Sequence, residues 1–169
     1  ADGYIEKGYE NLLLQSNSLT TSPWSSVRAS LAGSQEGYDG TNDAWLLEST
    51  ALGQTKIEVS NSASGVNTIS FYAKAGTANY AVPYMTSTLS RAWFNLSNGT
   101  IESSFNNIDA SIESVGNGWY KCSMAFNTTA IAIYLQVGNT DGNLNAAIGD
   151  NIYIQDAMLN QGLVAYPYI

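Results

Sequence analysis

Along most of this chain apolar and polar residues alternate in steps of two, the period of a strand with one dry face. The clearest run is Val66 to Ala75, where Ile69, Phe71 and Ala73 alternate with Ser70, Tyr72 and Lys74. Tyr80 to Ser87, Arg91 to Leu96 and Trp119 to Phe126 follow. Ile131, Ile133, Leu135 and Val137 then alternate with Ala132, Tyr134 and Gln136, and Asn151 to Leu159 sets Ile152, Ile154 and Asp156 against Tyr153, Gln155 and Ala157. Weaker runs are Asn11 to Leu14, Val27 to Leu31, Ala44 to Glu48 and Lys56 to Ser60. Asn98-Gly99, Gly116-Asn117-Gly118 and Asp141-Gly142-Asn143 supply strong turn chemistry between runs. No window carries a helical stripe with caps, and the Ser, Asn and Asp content of Thr100 to Ile112 disfavours helix. About ten short strands at roughly 8–12-residue spacing predict an all-β, two-sheet antiparallel β-sandwich, a jelly roll, over residues 11–169. Residues 1–10 read as an N-terminal lead-in arm.

The same alternation sorts the aromatic residues. With Ile69, Phe71 and Ala73 facing the core, Tyr72 and Lys74 face outward, as do Tyr134 and Gln136 beside Ile133 and Leu135. Phe94 and Leu96 inward put Arg91 and Trp93 outward; Ala81, Pro83 and Met85 inward put Tyr80 and Tyr84 outward. Aromatic rings exposed on a sheet suit carbohydrate, because the apolar face of a pyranose stacks on a ring while Arg, Lys and amides bond its hydroxyls. Rings that cap the sandwich edge or lie under loops are the structural alternative. Trp119, after a tight turn, is expected to pack over the end of the core, and Trp24 and Trp45 are either rim contacts or core plugs. Cys122 shares the parity of Tyr120, Met124 and Phe126, as a buried inert thiol.

Composition narrows the chemistry. The 169 residues suggest one domain. Charged residues make up only 12%, about half the usual share, and there is no histidine and one cysteine. Ser-His-Asp and Cys-His nucleophile pairs, the usual zinc sets and an internal disulfide are therefore excluded. A net charge of −8 with only six lysines and arginines argues against nucleic acid and anionic membrane surfaces. No stretch approaches the roughly 18 apolar residues of a membrane span, and Ala1-Asp2-Gly3-Tyr4 has neither the cationic region nor the apolar core of a secretion signal. Among the acids no glycosidase-like pair stands out; Glu102, Glu113 and Asp109 are assembled only on paper, and the chain is expected not to be an enzyme.

Asp39-Gly40-Thr41-Asn42-Asp43 and Asn139-Thr140-Asp141-Gly142-Asn143 offer hard oxygen ligands around glycine turns, outside EF-hand spacing. Asp156 falls on the parity assigned to the core, where a lone carboxylate is costly unless paired or bound to metal. A structural calcium ion at Asp156 with Asp39 and Asp43 is the resulting expectation.

Several segments then carry a resemblance, in order over nearly the whole chain from Glu10. They are Glu10-Asn11-Leu12-Leu13-Leu14-Gln15-Ser16-Asn17 followed by Trp24, Tyr38-Asp39-Gly40-Thr41-Asn42-Asp43-Ala44, Ser70-Phe71-Tyr72-Ala73-Lys74-Ala75-Gly76 and Phe94-Asn95-Leu96-Ser97-Asn98-Gly99. Val115-Gly116-Asn117-Gly118-Trp119-Tyr120-Lys121-Cys122, Asn151 to Leu159 and the closing Tyr166-Pro167-Tyr168-Ile169 complete it. Together they resemble a jelly-roll domain recurrent in tailed-phage virion proteins and, more distantly, carbohydrate-binding modules of the family 4/9 type. The second resemblance implies a concave face or loop rim that binds glycans, and a structural calcium to which an Asp on the last strand contributes, where Asp156 stands. The chain departs from that pattern at Gln15-Ser16-Asn17-Ser18-Leu19, which lacks the acidic ligand of the corresponding turn.

The reading that follows is a non-catalytic glycan-binding module of a phage tail, fibre or capsid-surface protein. Tyr72, Tyr80, Tyr84, Trp93 and Tyr134 are its stacking platforms, and Lys74, Arg91 and Gln136 its hydroxyl partners. The alternatives are a structural virion decoration or fibre spacer that forms a homo-oligomer, and an extracellular module beside a bacterial polysaccharide-degrading enzyme.

Overall fold

The computed structural model describes residues 10–169; the expected lead-in arm lies, Glu10 apart, outside the described residues. The strands are β1 (Ser25–Val27), β2 (Ala29–Gln35), β3 (Ala44–Ser49), β4 (Thr55–Asn61), β5 (Gly65–Ala75), β6 (Tyr80–Met85), β7 (Ser90–Asn95), β8 (Thr100–Phe105), β9 (Asp109–Gly116), β10 (Trp119–Thr128), β11 (Ile131–Gly138) and β12 (Asn151–Gln161). They form two six-stranded antiparallel sheets, a front sheet ordered β1-β4-β11-β6-β7-β8 and a back sheet ordered β2-β3-β12-β5-β10-β9. The chain passes repeatedly between sheets, which is the jelly-roll pattern.

The core lies between the two dry faces that the alternation defines. Ile57, Val59, Phe94, Ile133, Leu135 and Val137 come from the front sheet, and Leu47, Ile69, Phe71, Met124, Phe126 and Ile152 from the back. Phe71 and Phe94 meet edge to face across the sandwich with centroids 6.2 Å apart, the arrangement ring quadrupoles favour. Burial of one such side chain contributes about 1.5–3 kcal/mol, so the parity of the long strands is strongly enforced. Cys122 is buried in this core, and desolvation pushes its thiol far above the ordinary range. Asn117 and Gly118, with φ of 53° and 79°, turn β9 into β10 as a type I′ hairpin requires.

The structure departs from the sequence pattern in four places. The Val27 to Leu31 run is two strands in different sheets, broken at Arg28, where φ is 51°. Thr100 to Ile112 contains all of β8 and the first half of β9, one in each sheet. Asn11 to Leu14 is not a strand; it runs beside β12, with Leu12 N–H donating to the Leu159 carbonyl at 2.7 Å. Asp156 is not on the core face. β12 opposes Gln155 to Tyr72 and Met158 to Ser70, so it holds one extra residue, and Asp156 takes φ 53° there. This bulge switches parity, so that Ala157 and Leu159 join the core instead of Asp156 and Met158.

Candidate functional site

Antiparallel register sets the outward residues of the front sheet in rows. One row runs Glu58, Tyr134, Tyr84, Arg91 and Phe105, each directly opposite the next across β4, β11, β6, β7 and β8. The next row runs Lys56, Gln136 and Val82, with Trp93 at the register position that follows. A third sets Gly138, Tyr80, Asn95 and Thr100 side by side.

The rings of the first row have cations set against them. The Tyr84 and Tyr134 centroids are 5.7 Å apart, tilted by 35°. Lys56 Nζ lies 3.2 Å from the Tyr134 centroid and 3.3 Å from Glu58 Oε2. The Arg91 guanidinium carbon lies 4.6 Å from the Phe105 centroid and 5.7 Å from those of Tyr84 and Trp93. Such cation–π contacts are worth about 0.5–1 kcal/mol each where exposed, and here they hold two flexible cations against the rings of the sheet. Where the row reaches β1, a cavity of about 190 Å³ opens between Pro23, Ser25, Glu58, Ser60, Ala132 and Tyr134. Phe105, half exposed, closes the other end.

The second row is covered. The connection from β11 to β12 is anchored across this face: Ser103 donates its N–H and hydroxyl to Asp141 at 2.9 and 2.7 Å, Trp93 Nε1 donates to the Asn143 carbonyl at 3.1 Å, and Ala146 bridges to Gly53. Val82, Trp93 and Gln136 are 1%, 3% and 1% exposed. Trp93 and Gln136 thus have the expected parity but do not present themselves to a ligand, because the crossing chain takes their outer side. Both polar atoms of the Gln136 amide lack a partner. Tyr80, in the third row, accepts from Asn95 Nδ2 at 3.4 Å; burial pushes its hydroxyl up, and the charges of Glu102 and Asp141 add to this.

Tyr72 and Lys74 belong to the opposite surface, the outer face of the back sheet, so the eight expected contacts do not share one face. Tyr38, from the β2–β3 loop, stacks on Tyr72 at 3.6 Å and 7°. Trp119, buried on this outer face and not over the core, meets the edge of Tyr38, and Lys74 Nζ lies 5.9 Å from the Trp119 centroid and 5.3 Å from that of Tyr153. Trp24 is a core plug whose Nε1 donates to the Gln15 carbonyl; Trp45 is half-buried against the core and donates to the Asn17 carbonyl.

The three expected calcium ligands do gather at one corner. Asp156, 6% exposed, accepts from the Tyr38 hydroxyl at 3.0 Å, and its N–H donates to Asn17 Oδ1. Burial pushes its carboxyl up to about 6; Asp43 and Asp39 push the same way, while the Tyr38 bond opposes them. Desolvation and the Asp156 charge likewise push the Tyr38 hydroxyl far up. Gln155 Nε2 donates to both Asp39 Oδ1 at 3.3 Å and Asp43 Oδ1 at 2.6 Å, and the Thr41 hydroxyl reaches the same two oxygens. The Thr41 bond holds the Asp39 carboxyl below its usual range. Gly37 packs so closely on the Gln155 amide that any side chain there would strike it. These donors do not fit a cation as they stand: the amide and hydroxyl satisfy oxygens a metal would need, and among the described residues no three acidic or thiol side chains form a metal-ligand group.

The carboxylates considered for hydrolysis are also dispersed. Glu102 is on the front sheet, held by Asn95 and Thr100, whereas Asp109 and Glu113 are on the back. The latter two are separated by four residues of extended β9, roughly 13 Å, beyond the spacing of paired glycosidase acids. Four residues that the structure brings into these clusters escaped the sequence reading. Lys56 and Glu58 were accessible by extending the alternation around Ile57 and Val59; Phe105 follows a register shift in the β7–β8 pair, and Tyr38 sits in a loop without parity.

No protein-family profile matches the chain, and no curated protein matches it in sequence. Solved structures do resemble it, and they include carbohydrate-binding modules. TmCBM61 in complex with β-1,4-galactotriose has a TM-score of 0.49 at 12% identity, over 90% of this chain and 99% of that one. The CBM22-1–GH10 modules of the Clostridium thermocellum endo-1,4-β-D-xylanase 10B, complexed with xylohexaose, have a TM-score of 0.50 at 12% identity over 95% of this chain. The chain spans 29% of that xylanase chain's length. At 12% identity the likeness to the xylanase modules shows the fold alone, and function has to be argued from the site.

Proposed function

We propose that this chain is a non-catalytic glycan-binding module that holds its ligand across the outer face of the front sheet. The observation that carries this reading is the row Tyr134–Tyr84–Arg91–Phe105, four adjacent strands each presenting a ring or a guanidinium, with a groove beside Tyr134. Sugar rings stack on Tyr84 and Tyr134, and Arg91, Lys56 and Glu58 meet their polar groups. The fold shared with the xylohexaose-bound neighbour supports the class of ligand but not its identity. The resemblance of the sequence to tailed-phage jelly rolls supports a place on a virion surface, where repeated copies convert a weak single site into avid adhesion. Affinity electrophoresis of the protein against a panel of plant, algal and bacterial polysaccharides tests the proposal. Retardation by at least one polysaccharide, lost on Tyr84→Ala, is expected; a folded sample that none retards overturns it.

A further inference from the structure

The chain carries 14 acidic residues against six lysines and arginines. Arg91 is the cation set within the ring-bearing front row, and like Arg28 and Lys74 it forms no ion pair among the described residues. Among the described residues the guanidinium makes one hydrogen bond, from Nη1 to the Leu89 carbonyl at 2.9 Å, and Nε is buried without a partner. Three rings, Phe105, Tyr84 and Trp93, surround the guanidinium, with centroids 4.6, 5.7 and 5.7 Å from its carbon. The acids of this face are engaged elsewhere: Glu58 by Lys56 and Ser25, Glu102 by Asn95 and Thr100, Asp141 by Ser103. An always-charged fork whose remaining Nη donors are short of acceptors suits an oxyanion that takes two parallel hydrogen bonds, as a carboxylate or a sulfate does. It stands directly opposite Tyr84 in the row that the proposed glycan follows.

We infer that the ligand of this site is an acidic glycan, one whose carboxylate or sulfate docks on Arg91 while neighbouring sugars stack on Tyr84 and Tyr134. This rests on the front face being the glycan site, and it runs against the net charge of −8. The conflict resolves by range. At physiological salt the field of distant carboxylates is screened beyond about 8 Å, whereas the guanidinium acts at contact.

The chemistry is tested without any mutation by comparing polygalacturonate with its fully methyl-esterified form, and dextran sulfate with dextran, by calorimetric titration at physiological salt. Charge-assisted bidentate bonding predicts a preference of roughly tenfold to a hundredfold for a charged polymer over its neutral counterpart. Preference in the first pair identifies a carboxylate, and in the second a sulfate. Arg91→Gln is expected to abolish that preference, Arg91→Lys to retain part of it, and both to keep residual stacking affinity. Equal affinity for both members of each pair overturns the inference while leaving the glycan site standing, as does a charge preference that survives Arg91→Gln. A folded protein that binds no polymer removes the inference and the site together.

Discussion

On the back of the sandwich Tyr72 meets Tyr38 face to face at 3.6 Å, whereas on the front Tyr84 and Tyr134 tilt past each other at 5.7 Å, flanked by Arg91 and Lys56. Both faces derive from the same alternation and the same residue types. They differ in what crosses them. The β2–β3 loop brings Tyr38, Asp39 and Asp43 over the back sheet, where a ring and a carboxylate hydrogen bond complete a closed cluster. On the front, the β11–β12 connection covers Trp93 and Gln136 but leaves the row from Tyr134 to Phe105 at the surface. An outward-facing ring is thus a binding platform only where the chain's own loops have left its face unused.

The sharpest way to break this comparison is to truncate one tyrosine on each face. Tyr84→Ala is expected to weaken glycan binding about tenfold or more, the scale of an aromatic anchor, with little loss of stability. Tyr72→Ala should do the reverse, leaving affinity unchanged and costing about 1–3 kcal/mol of stability, which for a chain of this size lowers Tm by several degrees. Parallel titration and thermal unfolding read both arms. Binding lost in Tyr72→Ala and retained in Tyr84→Ala would place the site on the wrong face.

Gln136 probes the crossing chain itself. Its buried amide has two groups without partners, each costing about 1–3 kcal/mol. Gln136→Met keeps the length of the side chain and removes both, so Tm should rise by several degrees while glycan affinity stays level. A fall in Tm would show that the amide is paired in solution; altered affinity would show that the ligand reaches beneath the crossing.

What the alternation encoded and what it did not follow from the same contrast. It places a side chain on one side of a sheet, because misplacing Ile69, Phe71 or Ile133 exposes core surface, and that sufficed for most strands and the jelly-roll class. It does not say which sheet a strand joins, so Tyr72 and Lys74 were grouped with residues of the opposite surface. Nor does it register a bulge: the single extra residue at Asp156 reversed the parity of everything after it in β12. Cover depends on loops, whose paths are fixed by hydrogen bonds such as Trp93 to Asn143 and Ser103 to Asp141. No local pattern announces such partners.

The acidic corner sharpens the comparison by pH. The Asp156 carboxyl is pushed up to about 6 by burial, so the folded protein binds its proton more tightly than the unfolded chain does. Stability should therefore increase as pH falls from 7 through about 6 and level off near the ordinary carboxylate value of about 4. Asp156→Asn removes the charge, and asparagine tolerates the positive φ that the bulge imposes. The variant should be more stable than the parent by about 1–2 kcal/mol at pH 7, with the difference vanishing near pH 4. Chemical denaturation across that range measures it; a variant less stable at every pH would show that the carboxylate itself holds Tyr38 in place. Asp156 lies beside Tyr38 at the back sheet, away from the front row, so glycan binding by Asp156→Asn should match that of the parent.

The smallest expected effect is that of calcium, and it separates two ways of relieving one repulsion. Three carboxylates at a corner can be eased by a proton, by hydrogen-bond donors or by a divalent cation. The structure uses donors: Gln155 bridges Asp39 and Asp43, and Tyr38 serves Asp156. For calcium to enter, the Gln155 amide would have to leave two oxygens and the Tyr38 N–H that its own oxygen accepts at 3.0 Å. A cation bound only to the folded state raises Tm in proportion to its saturation, so scanning calorimetry after chelation, with and without added calcium, gives a direct reading. No measurable rise is expected at pH 7. A rise of several degrees that disappears in Asp156→Asn would show that the ion displaces the amide, and would turn the closed cluster of the back face into a metal-dependent one.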